Sequence, residues 1–203
     1  MTTSVPHAYI IDDDDALREA LTFLLQSRGV AVACFASAEG FLAHFDHAMR
    51  GCILTDVRMG GMSGIVLIDR LAALACRLPL IVLTGHGDVA MAVDALKSGV
   101  RDFVEKPFNT NSLADKIIDA IADDATAASK QREREAINQR IATLSERERE
   151  VMHLLVAGRL NKVIADELNI AMRTVEVHRS RVFVRMGVRN AVELANVLSR
   201  IEP

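Results

Sequence analysis

The sequence predicts two domains of different class: an α/β domain on a five-stranded parallel sheet, then a small all-helical domain. Three observations carry this. Five short apolar runs alternate with amphipathic stretches over residues 1–122. Beyond residue 142 only short helical patterns remain. The charge also changes sign along the chain. Residues 1–125 hold 17 Asp/Glu against 10 Lys/Arg, a net of −7, whereas residues 126–203 hold 10 against 14, a net of +4. The whole-chain value of −3 conceals that split. Halves of opposite sign face different partners, or each other.

Strands are expected at 7–11 (HAYII), 31–35 (AVACF), 51–55 (GCILT), 79–84 (PLIVLT) and 100–104 (VRDFV). Helices are expected between and after them, at 15–28, 37–46, 63–75, 88–98 and 110–122. In the first helix Leu17, Leu21, Leu24 and Leu25 form one apolar face, and in the last Leu113, Ile117, Ile118 and Ile121 do the same. The run at 79–84 is almost wholly apolar, as a parallel strand covered on both faces requires. Residues 123–142 have no Gly or Pro and few large apolar groups. They read as a helical linker, or as a frayed extension of the helix before them. Ile137, Ile141 and Leu144 share a helical spacing that would suit pairing with another copy, although a true coiled coil needs several more heptads. Ser145 followed by Glu148 is a capping-box pattern opening a helix at 146–157, which Gly158 ends. Further helices follow at 161–168, 172–187 and 190–200. The short turn Asn169–Ala171 between the second and third makes a helix-turn-helix.

Composition excludes several classes. No stretch approaches 18 apolar residues without a charge, so no membrane span is expected. The first twenty residues carry four consecutive Asp and lack the pattern of a secretory signal. Cys34, Cys52 and Cys76 are odd in number and widely spaced, which suits a reducing cytoplasm rather than a disulfide framework or a zinc site. Aromatic residues are only 4% of the chain, so stacking of exposed bases on an aromatic platform is a poor reading. Gly85, Gly87 and Gly99 do not make a phosphate loop, because no Gly-x-x-x-x-Gly-Lys-Ser/Thr run exists. His86 has no second histidine at ligand spacing.

In an open parallel sheet the active crevice lies at the carboxyl ends of the strands. Asp12 and Asp13 follow the first strand, Asp56 the third and Lys106 the fifth, and Thr84 ends the fourth. Each residue taken singly has a bland reading. Four Asp in a row suit a solvated run, with Asp15 capping the first helix. Asp56 suits a turn and Lys106 a surface. Together they form a site. Three carboxylates in one crevice repel unless a cation neutralises them, and hard oxygen ligands favour Mg²⁺. Lys106 adds a fixed positive charge and Thr84 a hydroxyl. Such a set can receive a phosphoryl group on Asp56 and stabilise its charged oxygens in transfer.

The runs IIDDDDALREAL (10–21), TDVRMGGMSG (55–64), LTGHGDVAMAVDALKSGV (83–100) and DFVEKPF (102–108) resemble the receiver domain of bacterial two-component response regulators. The whole chain resembles the nitrogen-fixation regulator group of that family, in which a flavodoxin-like receiver precedes a LuxR-type helix-turn-helix. The resemblance implies that Asp56 is phosphorylated by a sensor histidine kinase. It implies that Mg²⁺ is held by Asp12, Asp13, Asp56 and the backbone carbonyl of Arg58. It makes Thr84 and Phe103 the switch pair, Lys106 the family's lysine, and the Lys106–Pro107 bond cis. One departure stands out: the family usually has Met-Pro where this chain has Met59–Gly60. Glycine frees a backbone that proline would fix, so a more mobile loop is expected.

In the helix at 172–187, Val175, Val182 and Met186 fit an inward stripe. Arg173, Glu176, Arg179 and Arg181 fall on other faces, as a major-groove helix requires. The bland alternative is a solvated basic face. LSEREREVMHLLVAGRLNKVIADELNI (144–170) and RTVEVHRSRVFVRMGV (173–188) resemble the LuxR-type module. By motif match Asn161, Lys162, Thr174, Val175, His178, Arg179 and Arg185 are expected to meet DNA, and Glu148 to hold the module together. Arg185 stands where lysine is usual, and Ala171–Met172 where Ser-Pro is usual.

The domains are expected at 1–122 (receiver), 123–142 (helical linker) and 143–203 (DNA-binding). The expected function is a cytoplasmic transcription factor, not an enzyme, that binds the major groove of double-stranded DNA and is switched by a sensor histidine kinase. A homodimer on phosphorylation is expected through the face of the fourth helix and fifth strand, with the helix at 190–200 as a further surface. The reading leaves room for RNA polymerase as a further partner and involves no membrane. The rival reading is a phosphorylation-independent DNA-binding protein that keeps a receiver-like fold as a dimerisation scaffold. An aspartyl phosphatase would want an acid two residues after Asp56, and that position is Arg58.

Overall fold

The computed structural model describes residues 7–85 and 99–201. The helix expected at 88–98, His86 and Gly87 lie outside the described residues. The chain divides into two compact units, Met1–Ala128 and Ser129–Pro203.

In the first unit the elements run β1 (His7–Ile11), α1 (Asp15–Ser27), β2 (Ala31–Phe35), α2 (Ala38–His44), β3 (Gly51–Asp56), α3 (Gly64–Ala73), β4 (Leu80–Thr84) and β5 (Asp102–Glu105). Helix α4 (Thr110–Ala142) follows, and its later turns belong to the second unit. The strands form one parallel sheet in the order β2-β1-β3-β4-β5. This is the five-stranded parallel sheet expected. Strand β5 starts two residues later than expected, and the helix expected to stop at 122 continues to Ala142. Nothing in residues 123–142 breaks a helix: Gly and Pro are absent and Ala, Glu, Gln, Lys and Arg abound.

The alternation of side chains across the pleat builds two cores. Ile10, Leu54, Ile81 and Leu83 face α1 and α4, meeting Leu21, Leu25, Leu113 and Ile117. Ile11, Ile53 and Val82 face the other way, meeting Phe41, Leu67 and Leu71 of α2 and α3. Strand β4 is buried along its whole length, which is why its sequence shows no alternation. The order places β1 and β3 side by side at the point where the connections diverge, so a crevice opens beyond their carboxyl ends.

The second unit adds α5 (Glu146–Val156), α6 (Asn161–Leu168), α7 (Met172–Met186) and α8 (Ala191–Leu198). Ser145 caps α5 in the expected box: its hydroxyl accepts from Glu148 N (3.3 Å), and the Glu148 carboxylate accepts from Ser145 N (2.9 Å). Asn169 closes α6 in the left-handed region, giving the tight turn into α7. Val151, Met152, Ile164, Val175, Val182, Met186, Leu194 and Leu198 make its core. Ile137 and Leu144 are buried in that core and Ile141 packs against it. Their apolar spacing is thus consumed within the chain rather than left for a second copy. No described helix is long and apolar enough to cross a membrane.

Candidate functional site

The four consecutive aspartates divide into four roles. Asp12 is 1% exposed, and its carboxylate accepts from Asp14 N at 2.9 Å. Asp13 is exposed and accepts from Gly60 N at 3.0 Å. Asp14, rather than Asp15, is the N-cap of α1, accepting from Ala16 N and Leu17 N. A cap must precede the helix, and Asp15 already has helical backbone; it pairs instead with Arg18.

Asp56 is the last residue of β3 and is 8% exposed. Ligand oxygens of Asp12, Asp13 and Asp56 all lie within 4.8 Å of one another. Lys106 Nζ donates to Asp56 at 2.9 Å and lies 3.4 Å from Asp12. Three carboxylates against one ammonium leave an excess of negative charge in hard oxygen donors. That donor set fits Mg²⁺. Burial pushes the Asp12 carboxyl above its ordinary range, against the pull of Asp14 N and of Lys106. Burial draws the Lys106 ammonium down, but its bonds to Asp56 and the charge of Asp12 outweigh this and hold it above the ordinary lysine value.

Thr84 is the buried last residue of β4, and its carbonyl accepts from Lys106 N at 2.8 Å. The strand-end register thus places Lys106 beside the carboxylates. The Lys106–Pro107 bond is cis, as the resemblance implied. Phe103 lies in β5 opposite Val82 and packs, partly buried, against the core on the α2/α3 face. Arg58 is exposed in the loop after β3.

In that loop three backbone N–H groups have partners. Gly60 N donates to Asp13, Met62 N donates to Glu39 at 2.8 Å, and Gly64 N donates to the Val57 carbonyl at 3.0 Å. Gly61 has φ +86°, where a glycine is needed. A Cβ on Gly64 would stand 2.1 Å from the Asp56 carbonyl oxygen, so only glycine lets α3 start this close to Asp56. Sequence reasoning missed Glu39 and the Gly60 N–H. No local pattern announces Glu39, which comes from α2.

In the second unit α7 exposes Arg173, Thr174, Glu176, Val177, Ser180 and Arg181. One of the expected contacts needs correction. Val175 is 0% exposed and sits in the core, so its side chain is closed to a base edge. Val177 is 45% exposed; two residues on is about 200° round a helix, the opposite face. The inward stripe of Val175, Val182 and Met186 already contained that information. Arg185 pairs with the buried carboxylate of Glu148 at 2.8 Å and also donates to the Thr143 carbonyl. It helps hold the module together, and its side chain stays 43% exposed. Hydrogen bonding to Ser145 and the Arg185 charge keep the Glu148 carboxyl below its ordinary value, against the effect of burial.

Of the other expected residues, Lys162 and Thr174 are exposed. Asn161 opens α6 and accepts from Arg179 at 3.3 Å. Arg179 also lies over the Phe183 ring, 5.3 Å from its centroid. His178 is half-buried, and its Nδ1 is enclosed without a hydrogen-bond partner. The first turns of α6 and α7 have no side-chain cap, although Thr174 N in α7 donates to the Ala171 carbonyl at 2.8 Å.

Residues 8–118 match the response regulator receiver domain, and residues 142–198 match the luxR family of bacterial regulatory proteins. The chain belongs to the two-component response regulators. It is 50% identical over 191 residues to the C4-dicarboxylate transport transcriptional regulatory protein DctR of Rhodobacter capsulatus, covering 93% of this chain and 97% of that one. It is 43% identical over 198 residues to the transcriptional regulatory protein FixJ of Bradyrhizobium diazoefficiens, covering 98% and 97%. The solved structure of the response regulator StyR superposes with a TM-score of 0.88 at 36% identity, over 97% of this chain and all of that one. This response regulator therefore falls in the FixJ group, as its motifs suggested. It is a transcriptional regulator with a LuxR-type DNA-binding domain, not an enzyme. Its two domains imply a histidine kinase partner and DNA binding. Receiver domains typically bind Mg²⁺ at an acidic pocket of this kind.

Proposed function

We propose that this response regulator is switched by phosphorylation of Asp56. The observation that carries the proposal is the clustering of Asp12, Asp13 and Asp56 at the switch point of the sheet, with the Lys106 ammonium against Asp12 and Asp56. Asp12, Asp13, Asp56 and the carbonyl of Arg58 would hold Mg²⁺, which supplies charge neutralisation for the phosphoryl oxygens. An Asp56 carboxylate oxygen attacks the phosphorus of a phosphohistidine on the sensor kinase. The new O–P bond forms as the P–N bond breaks, and the imidazole leaves with its electron pair. Lys106 steadies the incoming charge by donating through Nζ, and burial keeps competing water away from most of Asp56. Thr84 ends the neighbouring strand, where its hydroxyl can bond a phosphoryl oxygen. Phe103, opposite Val82 on the neighbouring strand, is the second switch residue and responds to that bond.

On the DNA side, Arg173, Thr174, Val177, Ser180 and Arg181 form the face of α7 that enters the major groove. Val177, not Val175, is placed to meet a thymine methyl. Lys162, Asn161, Arg179 and the amino ends of α6 and α7, which carry no side-chain cap, serve backbone phosphates. His178 acts from within the module, whereas Arg185 braces it at Glu148 and stays exposed beside the DNA face. The working division is 1–122 for the receiver and 143–203 for DNA binding, with 123–142 joining them and lending Ile137 and Ile141 to the second unit's core. Phosphorylation drives a homodimer that reads paired half-sites in the cytoplasm, with RNA polymerase as the downstream partner.

The test is incubation with Mg²⁺ and a small phosphodonor, read by intact mass and by DNA affinity. One phosphoryl group should be gained, DNA binding should tighten, and Asp56→Asn should abolish both. Labelling that persists in D56N would sink the assignment. DNA binding indifferent to phosphorylation would favour the rival scaffold reading.

A further inference from the structure

The loop after β3 brings a backbone donor to the edge of the acidic cluster. Gly60 N lies 3.0 Å from Asp13 Oδ2, across 47 positions of sequence. Asp13 is the one exposed member of the three carboxylates, while Asp12 and Asp56 are buried. Its partners therefore decide where it points. Lys106 reaches Asp12 and Asp56. Among the described residues, the Gly60 N–H donates to Asp13 and fixes its direction.

The donor is itself held. Two residues on, Met62 N is bonded to Glu39 from α2, and Gly64 N is bonded to the Val57 carbonyl. A backbone N–H anchored on its carboxyl-terminal side is a better fixed donor than any side chain. A Cβ built on Gly60 would lie 3.9 Å from Asp13 Oδ2, an ordinary contact, so its lack of a side chain is not what the site uses. The N–H is.

We infer that the Gly60 N–H is a positioning group for the metal site, holding one oxygen of Asp13 so that the carboxylate presents the other to Mg²⁺. This rests on the reading of Asp12, Asp13 and Asp56 as the Mg²⁺ site. A hydrogen bond to the second atom of a ligating group fixes its orientation, and losing one weakens metal affinity by about 10–100-fold.

The experiment compares the full chain with its Gly60→Ala and Gly60→Pro variants, all stripped with EDTA and titrated with Mg²⁺ by calorimetry. G60A keeps the N–H and should bind within about threefold of the parent. G60P removes the N–H and should bind about 10-fold or more weakly, with an unchanged melting temperature in EDTA. A second measurement covers the case in which G60P fails to fold. In the unaltered protein, hydrogen exchange of the Gly60 amide should stay slow when Mg²⁺ is saturating and become fast in Asp13→Ala. Equal Mg²⁺ affinities of G60P and G60A overturn the inference alone. So does a Gly60 amide that loses protection when Mg²⁺ binds, because Asp13 would then leave Gly60 to reach the ion. No Mg²⁺ binding by the parent overturns the metal reading and the inference with it.

Discussion

Ile137 lies in the stretch that sequence reading treats as linker, yet it is 4% exposed in the core of the second unit. Replacing it with alanine should therefore loosen the DNA-binding unit and leave the receiver untouched. A buried Ile→Ala change costs about 2–5 kcal/mol. Alanine's better helix propensity returns less than about 0.7 kcal/mol. The net loss is then about 1.5–4 kcal/mol, or roughly 10- to 1,000-fold in the opening equilibrium of the unit. Hydrogen exchange resolves this unit by unit. The slowest amides of α7, around Val182, should exchange faster by that factor in I137A. Those of β3 and β4 should not change. Asn138→Ala, one position on and exposed, is the control. Unchanged exchange in α7 would refute the reasoning and return residues 129–142 to the status of a spacer. The same logic covers Arg140, which donates to the Met186 carbonyl at 3.1 Å at the end of α7.

Other outcomes follow from single contacts. Val177→Ala should weaken or broaden DNA sequence selection without lowering stability, whereas Val175→Ala should cost about 1.5–3 kcal/mol in stability; a binding-site selection paired with urea melts separates them. Ser145→Ala should cost about 1 kcal/mol, since it removes the cap of α5. Glu148 has a folded pKa below its unfolded value. Its contribution is therefore complete above the ordinary glutamate range and is lost as pH falls through the lowered folded value. Melting of the parent and of Glu148→Gln should converge in acid and diverge towards neutrality. Burial pushes the Cys52 thiol up to about 12, while Cys34 is exposed. A thiol reagent applied to the folded protein should modify Cys34 rapidly, and Cys52 only on unfolding.

Where sequence reading failed, the failures have a common cause. A helix pattern reports which face is apolar but not what lies against it. Ile137 and Ile141 show an apolar spacing whether the neighbour is a second copy or α5–α8 of the same chain. Val175 was assigned both to the inward stripe and to DNA, and only burial chooses between the two. Arg185 reads as a cation near a basic helix until Glu148 is seen 2.8 Å away. Two adjacent glycines read as looseness because the hydrogen bonds that tie the loop come from Asp13 and Glu39, remote in sequence. Cap positions erred by a single residue at Asp14 and Asp15, within the usual uncertainty of a helix start.

The sequence by itself determined the class of both domains and the chemistry of the acidic pocket. Strand ends are local: apolar runs mark them, and the carboxylates, Thr84 and Lys106 that follow those runs must meet wherever parallel strands align. The opposite charges of the two halves are likewise a property of composition alone. Tertiary structure decided what each polar group does once there. It chose Asp14 as the cap, gave Asp13 to Gly60, joined Lys106 to Asp56, spent Arg185 on Glu148 and turned Val177 outward in place of Val175. Those choices depend on distances between residues far apart in the chain, and spacing along the sequence carries no distance through space.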